Sequence, residues 1–161
     1  MGKHPVISIS LKGINAASYE AAFELTVKTI KGAVQKAGFL KMSDKLDEDE
    51  KKEYRAILDE NMSEATLFWS LKNLSELLEK HYETKVILLI DEYDVPLAKA
   101  FENGYYDKMV FLIRNLLEQT LKTNNSLKFA VMTGCMRISK ESIFTGLNLS
   151  LIHISRAHET L

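Results

Sequence analysis

Two adjacent carboxylates, Asp91 and Glu92, directly follow the longest purely aliphatic run of the chain. That run, Val86 to Ile90, is typical of a strand buried on both faces in a parallel sheet covered by helices. Ligands of open α/β sheets bind at the carboxyl ends of the strands, so both acids are predicted to lie where a ligand would bind. The first acid can hold Mg²⁺, directly or through water, and the second can orient or deprotonate an attacking water.

A hydroxyl, Thr133, follows a later apolar run that covers residues 129–132. The Asp-Glu pair resembles a Walker B motif with its catalytic glutamate. In P-loop ATPases of that type, a polar residue at the tip of the next core strand hydrogen-bonds the attacking water or the γ-phosphate, and Thr133 would be that sensor. Arg137 and Lys140 come shortly afterwards and have the charge to face phosphate.

Each of these residues also has an ordinary structural interpretation. Acids often follow buried strands simply as solvated ends, and a β-branched residue such as Thr133 often closes a strand. The basic side chains of Arg137 and Lys140 can serve solubility alone. Asp94, three residues after Asp91, is expected to cap a helix or form a salt bridge after the strand and not to ligate metal.

The elements that would position these residues alternate between strand and helix. A short β-branched run at 6–11 predicts the first strand, and Val86 to Ile90 and residues 129–132 predict two more. Helices are predicted from the N-cap residue Ser18 to a stop near Gly38, from Ser63, and from Tyr105 to about residue 124. Because at least one helix separates successive strands, the strands should be parallel with right-handed crossovers, which is an α/β fold.

Composition narrows the class of protein. The chain has 161 residues, of which 27% are charged, and its formal net charge is −1. A net charge this close to zero produces no strong electrostatic attraction to nucleic acid or to an anionic membrane, although it leaves nucleic-acid binding open. The single cysteine, Cys135, excludes an intrachain disulfide and favours a reducing, cytoplasmic location. No apolar run in the sequence approaches the length of a membrane span.

Three stretches resemble one family. Residues 88–96 (LLIDEYDVP) resemble the LIDEYD-x-P signature of bacterial AAA-ATPase-like proteins. Residues 132–148 (MTGCMRISKESIFTGLN) resemble the second signature of that family, TG-x-x-RISKESIFSGLNN, and residues 5–13 are similar to its PVI-x-x-SLKG strand. The resemblance covers roughly residues 3–148, which are taken as one partial AAA-ATPase-like domain.

The resemblance implies a P-loop NTPase fold of the additional-strand class, a parallel sheet with helices on both faces. It also implies ATP as ligand and Mg²⁺ as cofactor. Carried over to this sequence, Asp91 would be the metal ligand, Glu92 the catalytic base, and Thr133 and Arg137 the nucleotide-binding residues.

The sequence departs from the family in two places. No G-x-x-x-x-G-K-[ST] occurs in the chain, whereas the family has such a phosphate loop upstream of its PVI strand. We therefore expect an inactive fragment that lacks the phosphate-loop strand, and we expect that strand to belong between the Asp91 and Thr133 strands. Residues 149–161 do not continue the family pattern and resemble read-through of a sequencing adapter. They are predicted to be a non-native tail, although a native amphipathic end is the alternative.

A function of a different class is also compatible with the residues. The chain could be a non-catalytic interaction module that keeps the P-loop scaffold and meets a protein partner through the acidic stretch around Asp47 to Glu53. The missing phosphate loop favours this interpretation, and the intact Asp91-Glu92 pair favours the ATPase.

Overall fold

The structure is a computed structural model that describes residues 2–135 and 153–154. A sheet in the order β1-β2-β3-β4 runs through these residues, and all of its paired strands are parallel. The strands are β1 (Val6–Ser10), β2 (Val86–Asp91), β3 (Leu127–Thr133) and β4 (His153–Ile154). The three strands predicted from the sequence are confirmed, and so is the α/β class.

Five α-helices lie among the described residues, two of them with the predicted serine caps. They are α1 (Tyr19–Gln35), α2 (Glu48–Ile57), α3 (Glu64–Tyr82), α4 (Val95–Glu102) and α5 (Tyr106–Leu121). The Ser18 hydroxyl accepts a hydrogen bond from Ala21 N at the start of α1, and the Ser63 hydroxyl accepts one from Thr66 N at the start of α3. Gly38 does not end α1 directly, because a 3₁₀ helix, Gly38–Met42, begins there.

The predicted position of a missing strand between β2 and β3 is wrong. These two strands pair directly with each other, from Val86 opposite Leu127 to Ile90 opposite Met132. The signatures identify strands through their own residues, but they carry no information on which strand lies beside which. The direct pairing brings the carboxyl ends of β2 and β3 next to each other.

The described helices cover one face of the sheet, so the expectation of helices on both faces is not met within this part of the chain. Ile7, Leu88 and Ile90 are buried against the helices in a single core. On the opposite face, Val6 is 52% exposed and Phe129 is 47% exposed. The physical reason is that β1, β2 and β3 are neighbours in consecutive order, and right-handed crossovers between such strands place their helices on the same face.

Buried tyrosines connect the helical layer through hydrogen bonds to backbone carbonyls. The Tyr54 hydroxyl of α2 donates to Val34 O of α1 at 2.7 Å, and the Tyr105 hydroxyl donates to Ala16 O at 2.6 Å. Burial raises the pKa of both phenols above the usual value, which keeps them as neutral donors. Among the described helices, none combines the length and the apolar character that crossing a membrane would require.

Candidate functional site

Three of the predicted site residues meet at the carboxyl ends of β2 and β3. Asp91 is the last residue of β2 and Thr133 the last residue of β3. The Thr133 hydroxyl donates a hydrogen bond to Asp91 Oδ1, and Glu92 N donates to the same hydroxyl at 3.4 Å. The adjacency of two parallel strands therefore joins one hydroxyl and one carboxylate, and the backbone of Glu92 bonds to the same hydroxyl.

The backbone of Glu92 is left-handed. Its φ is +53°, a conformation that few residues other than glycine adopt. The chain turns there from β2 toward α4, and Tyr93 N donates to Thr133 O at 3.2 Å. An unfavourable backbone conformation held by neighbouring hydrogen bonds is typical of functional sites, where it fixes the direction of a side chain.

Exchange of Glu92 for glycine tests this conformation. We expect Glu92→Gly to be more stable than Glu92→Ala by about 1 kcal/mol in free energy of unfolding, because glycine adopts a positive φ without steric cost. Urea unfolding of both variants measures the difference. The matched control is Glu118, which lies inside α5. There Glu118→Gly should be less stable than Glu118→Ala, because glycine is the poorer helix former. An Ala variant as stable as the Gly variant at position 92 would contradict the left-handed conformation.

Asp94 joins the turn after β2 to the turn after β3. Its carboxylate is 1% exposed, and Oδ2 accepts a hydrogen bond from Cys135 N at 2.8 Å. The side chain makes no capping hydrogen bond to α4, although Asp94 is the N-cap residue by position. The predicted cap is therefore absent, and the Asp94 carboxylate connects the loop after β2 to the loop after β3.

Gly134 packs against the side chains of Tyr93 and Asp94. The sequence did not predict this role for the glycine. A Cβ atom at position 134 would come within 2.8 Å of Tyr93 Cε1 and 3.0 Å of Asp94 Cγ. Burial raises the pKa of the Tyr93 phenol, and the charge of Asp94 raises it further. The glycine of the Thr133-Gly134 pair is therefore explained by close packing and not by a special φ.

A solvent-open groove of about 430 Å³ lies beside the acids. Glu92 and Asp94 line one part of it, and Lys12, two residues after the end of β1, lines another. Lys99 on α4 also borders the groove and forms an ion pair with Glu102 at 3.3 Å. Cations and carboxylates thus border the same space, and Lys12 was missed because its proximity arises only from the strand order.

Arg137 and Lys140 lie outside the described residues, as does most of the second signature. Their predicted contacts with phosphate therefore remain predictions. The same holds for the proposed tail at 149–161, of which the structure describes only the backbone of β4.

The chain is similar to a known family over most of its length. The family model described as "Predicted AAA-ATPase" (AAA-ATPase_like) matches residues 1–144, a range that includes Asp91, Glu92, Thr133 and Arg137. Neither the curated proteins nor the solved structures gave a match.

Proposed function

The chain belongs to the predicted AAA-ATPase family, and from this membership we propose that its parent protein binds Mg-ATP and hydrolyses it at the carboxyl ends of β2 and β3. The observation that carries the proposal is the hydrogen bond from Thr133 to Asp91, with Glu92 adjacent. It joins a hydroxyl and a carboxylate on neighbouring strand ends, where α/β sheets bind their ligands.

Asp91 is suited to hold the metal. Its side chain is exposed at the strand end, and a carboxylate is a preferred ligand of Mg²⁺, which commonly takes one or two protein carboxylates together with substrate phosphates. When bound there, Mg²⁺ would neutralise charge on the phosphate oxygens. The hydroxyl of Thr133 would keep Asp91 oriented and could turn to a phosphate oxygen or a water.

Glu92 is suited to act on water. Its carboxylate borders the groove and is partly exposed, so a water molecule can reach it. As general base, Glu92 would accept the proton of the water that attacks the γ-phosphate.

We further propose that these 161 residues alone do not hold the nucleotide. A Gly-rich loop supplies most of the grip on phosphate through its backbone N–H groups and lysine, and no G-x-x-x-x-G-K-[ST] occurs in the chain. The hydrolysis residues would then work only in a longer chain that contributes such a loop.

Titration with Mg-ATP tests the proposal. We expect micromolar binding by a longer parent chain with a phosphate loop and none by the 161-residue chain. In the parent, Asp91→Asn should weaken the Mg²⁺-dependent part of binding by about tenfold, since a charged ligand of the cation is lost. Isothermal titration with ATP, with and without Mg²⁺, measures both effects.

Asp107→Asn is the control, because Asp107 is an exposed carboxylate in the first turn of α5. Micromolar binding by the 161-residue chain would contradict the inactive-fragment proposal. Unchanged Mg²⁺ dependence in Asp91→Asn would contradict the metal assignment. If neither chain bound nucleotide, the interaction-module hypothesis would replace the ATPase.

A further inference from the structure

β1 forms an edge of the sheet within the described residues, where it pairs with β2 alone. Ile87 N donates to Pro5 O, and Leu11 N donates to Asp91 O, both at 2.9 Å. The backbone groups of a parallel strand alternate between its two edges, so the odd-numbered residues of this stretch face β2. The N–H and C=O groups of Val6 and Ser8 consequently face away from the sheet, where no described strand pairs with them.

A cavity of about 180 Å³ opens at this same edge. Val6 and Ser8 line it although their side chains lie on the opposite face of the sheet from Ile7, so they reach the cavity through their backbone. Most of the other lining residues are apolar or aromatic and include Phe39 and Tyr82. These two rings are in edge-to-face contact at 5.7 Å and remain 41% and 49% exposed.

A cation borders the cavity. Lys36 follows the last residue of α1, lines the cavity and is exposed. It forms no ion pair with any residue of the described ranges, whereas Lys31, one turn earlier, is paired with Glu60 at 3.0 Å. The charge of Lys36 is therefore available to an acidic group that enters the edge.

We propose that the outer edge of β1 binds an extended peptide segment of a partner protein, which adds to the sheet as a further strand. The outward backbone groups of Val6 and Ser8, which no described strand pairs, can bond to an added strand. The cavity accepts one apolar side chain, and Lys36 favours an acidic residue nearby. Main-chain hydrogen bonds provide the affinity in this mode of recognition, and pockets for alternate side chains provide the specificity.

A second copy of the chain fits the edge less well than a separate peptide. If two β1 strands paired with each other, the side chains on the cavity side would be Ile7 and Ile9 of the copy. Both are 4% exposed because they pack in their own core. They could not fill the cavity without leaving that core, so a β1–β1 pair would leave it empty.

Fluorescence anisotropy of the 161-residue chain with a labelled peptide tests the proposal. The probe is acetyl-Thr-Glu-Thr-Leu-Thr-Glu-Thr-amide, in which the leucine and both acids share one face of the strand and the threonines lie on the other. We expect saturable binding, weaker by about tenfold when both glutamates are lysines. The same peptide should not bind when N-methyl groups replace the amide hydrogens that face β1, since the strand hydrogen bonds are lost.

Two variants locate the binding. Ser8→Pro removes an outward N–H and leaves the β1–β2 hydrogen bonds intact, so it should lower the affinity for the peptide by about tenfold or more. Ser8→Thr keeps the N–H and should leave the affinity unchanged. Lys36→Glu should reverse the preference, favouring the lysine peptide. Circular dichroism confirms that each variant is folded. Absence of binding, binding indifferent to both variants, or a dimer that Ser8→Pro converts to a monomer would each overturn the proposal.

Discussion

Replacement of Glu92 by Gln in a parent chain that carries a phosphate loop is expected to lower ATP turnover by about 10²- to 10⁴-fold, the range for loss of a general base. Glutamine has the shape of glutamate but does not accept the proton of the attacking water. Asp91 and Thr133, which are joined by a hydrogen bond, remain unchanged, so binding of Mg-ATP should be retained. Phosphate release measures turnover, and nucleotide titration measures binding.

Glu83 provides a matched control for this experiment. It is the other non-glycine residue with a positive φ among the described residues, at +57°, and it follows α3 at the opposite end of β2. Its ion pair with Lys45 at 2.8 Å is largely exposed and contributes little. Glu83→Gln should therefore leave turnover unchanged. Full turnover by Glu92→Gln would remove Glu92 from the proposed mechanism, and equal losses in both variants would indicate a general effect of the substitution.

The placement of Asp91, Glu92 and Thr133 could be predicted from sequence because it depends on local patterns. An apolar run predicts a buried strand, and polar residues after it lie at its carboxyl end. Parallel strands bring those ends to the same edge of the sheet. The expectation required only that the strands be parallel, which follows from the helices between them.

The neighbours of each strand and the packing around the site could not be predicted in the same way. The pairing of β2 with β3 depends on contacts between residues about 40 positions apart, and no local pattern encodes it. The closeness of Gly134 to Tyr93 and Asp94 depends on that pairing. The family signature includes the glycine, but its reason becomes visible only when the two loops are placed side by side.

That closeness predicts a large effect of a very small substitution. Gly134→Ala should lower the free energy of unfolding by about 1–3 kcal/mol, the usual cost of overpacking, because the added methyl would meet two buried side chains. In a chain of this size each kcal/mol lowers the melting temperature by about 2–4 °C. To relieve the contact, either the Tyr93 and Asp94 side chains or the loop after β3 must move, and movement of that loop would shift Thr133 relative to Asp91. Thermal unfolding followed by circular dichroism measures the loss.

Gly13→Ala separates this contact from the general effect of replacing a glycine. A Cβ at position 13 would meet no atom within 4 Å, and no positive φ restricts that residue. Its replacement should be neutral or slightly stabilising, because alanine restricts the unfolded chain. If Gly134→Ala were as stable as Gly13→Ala, the turns after β2 and β3 would not be in contact. The hydrogen bond from Cys135 N to Asp94 would then be in doubt as well, and with it the arrangement that holds Thr133 against Asp91.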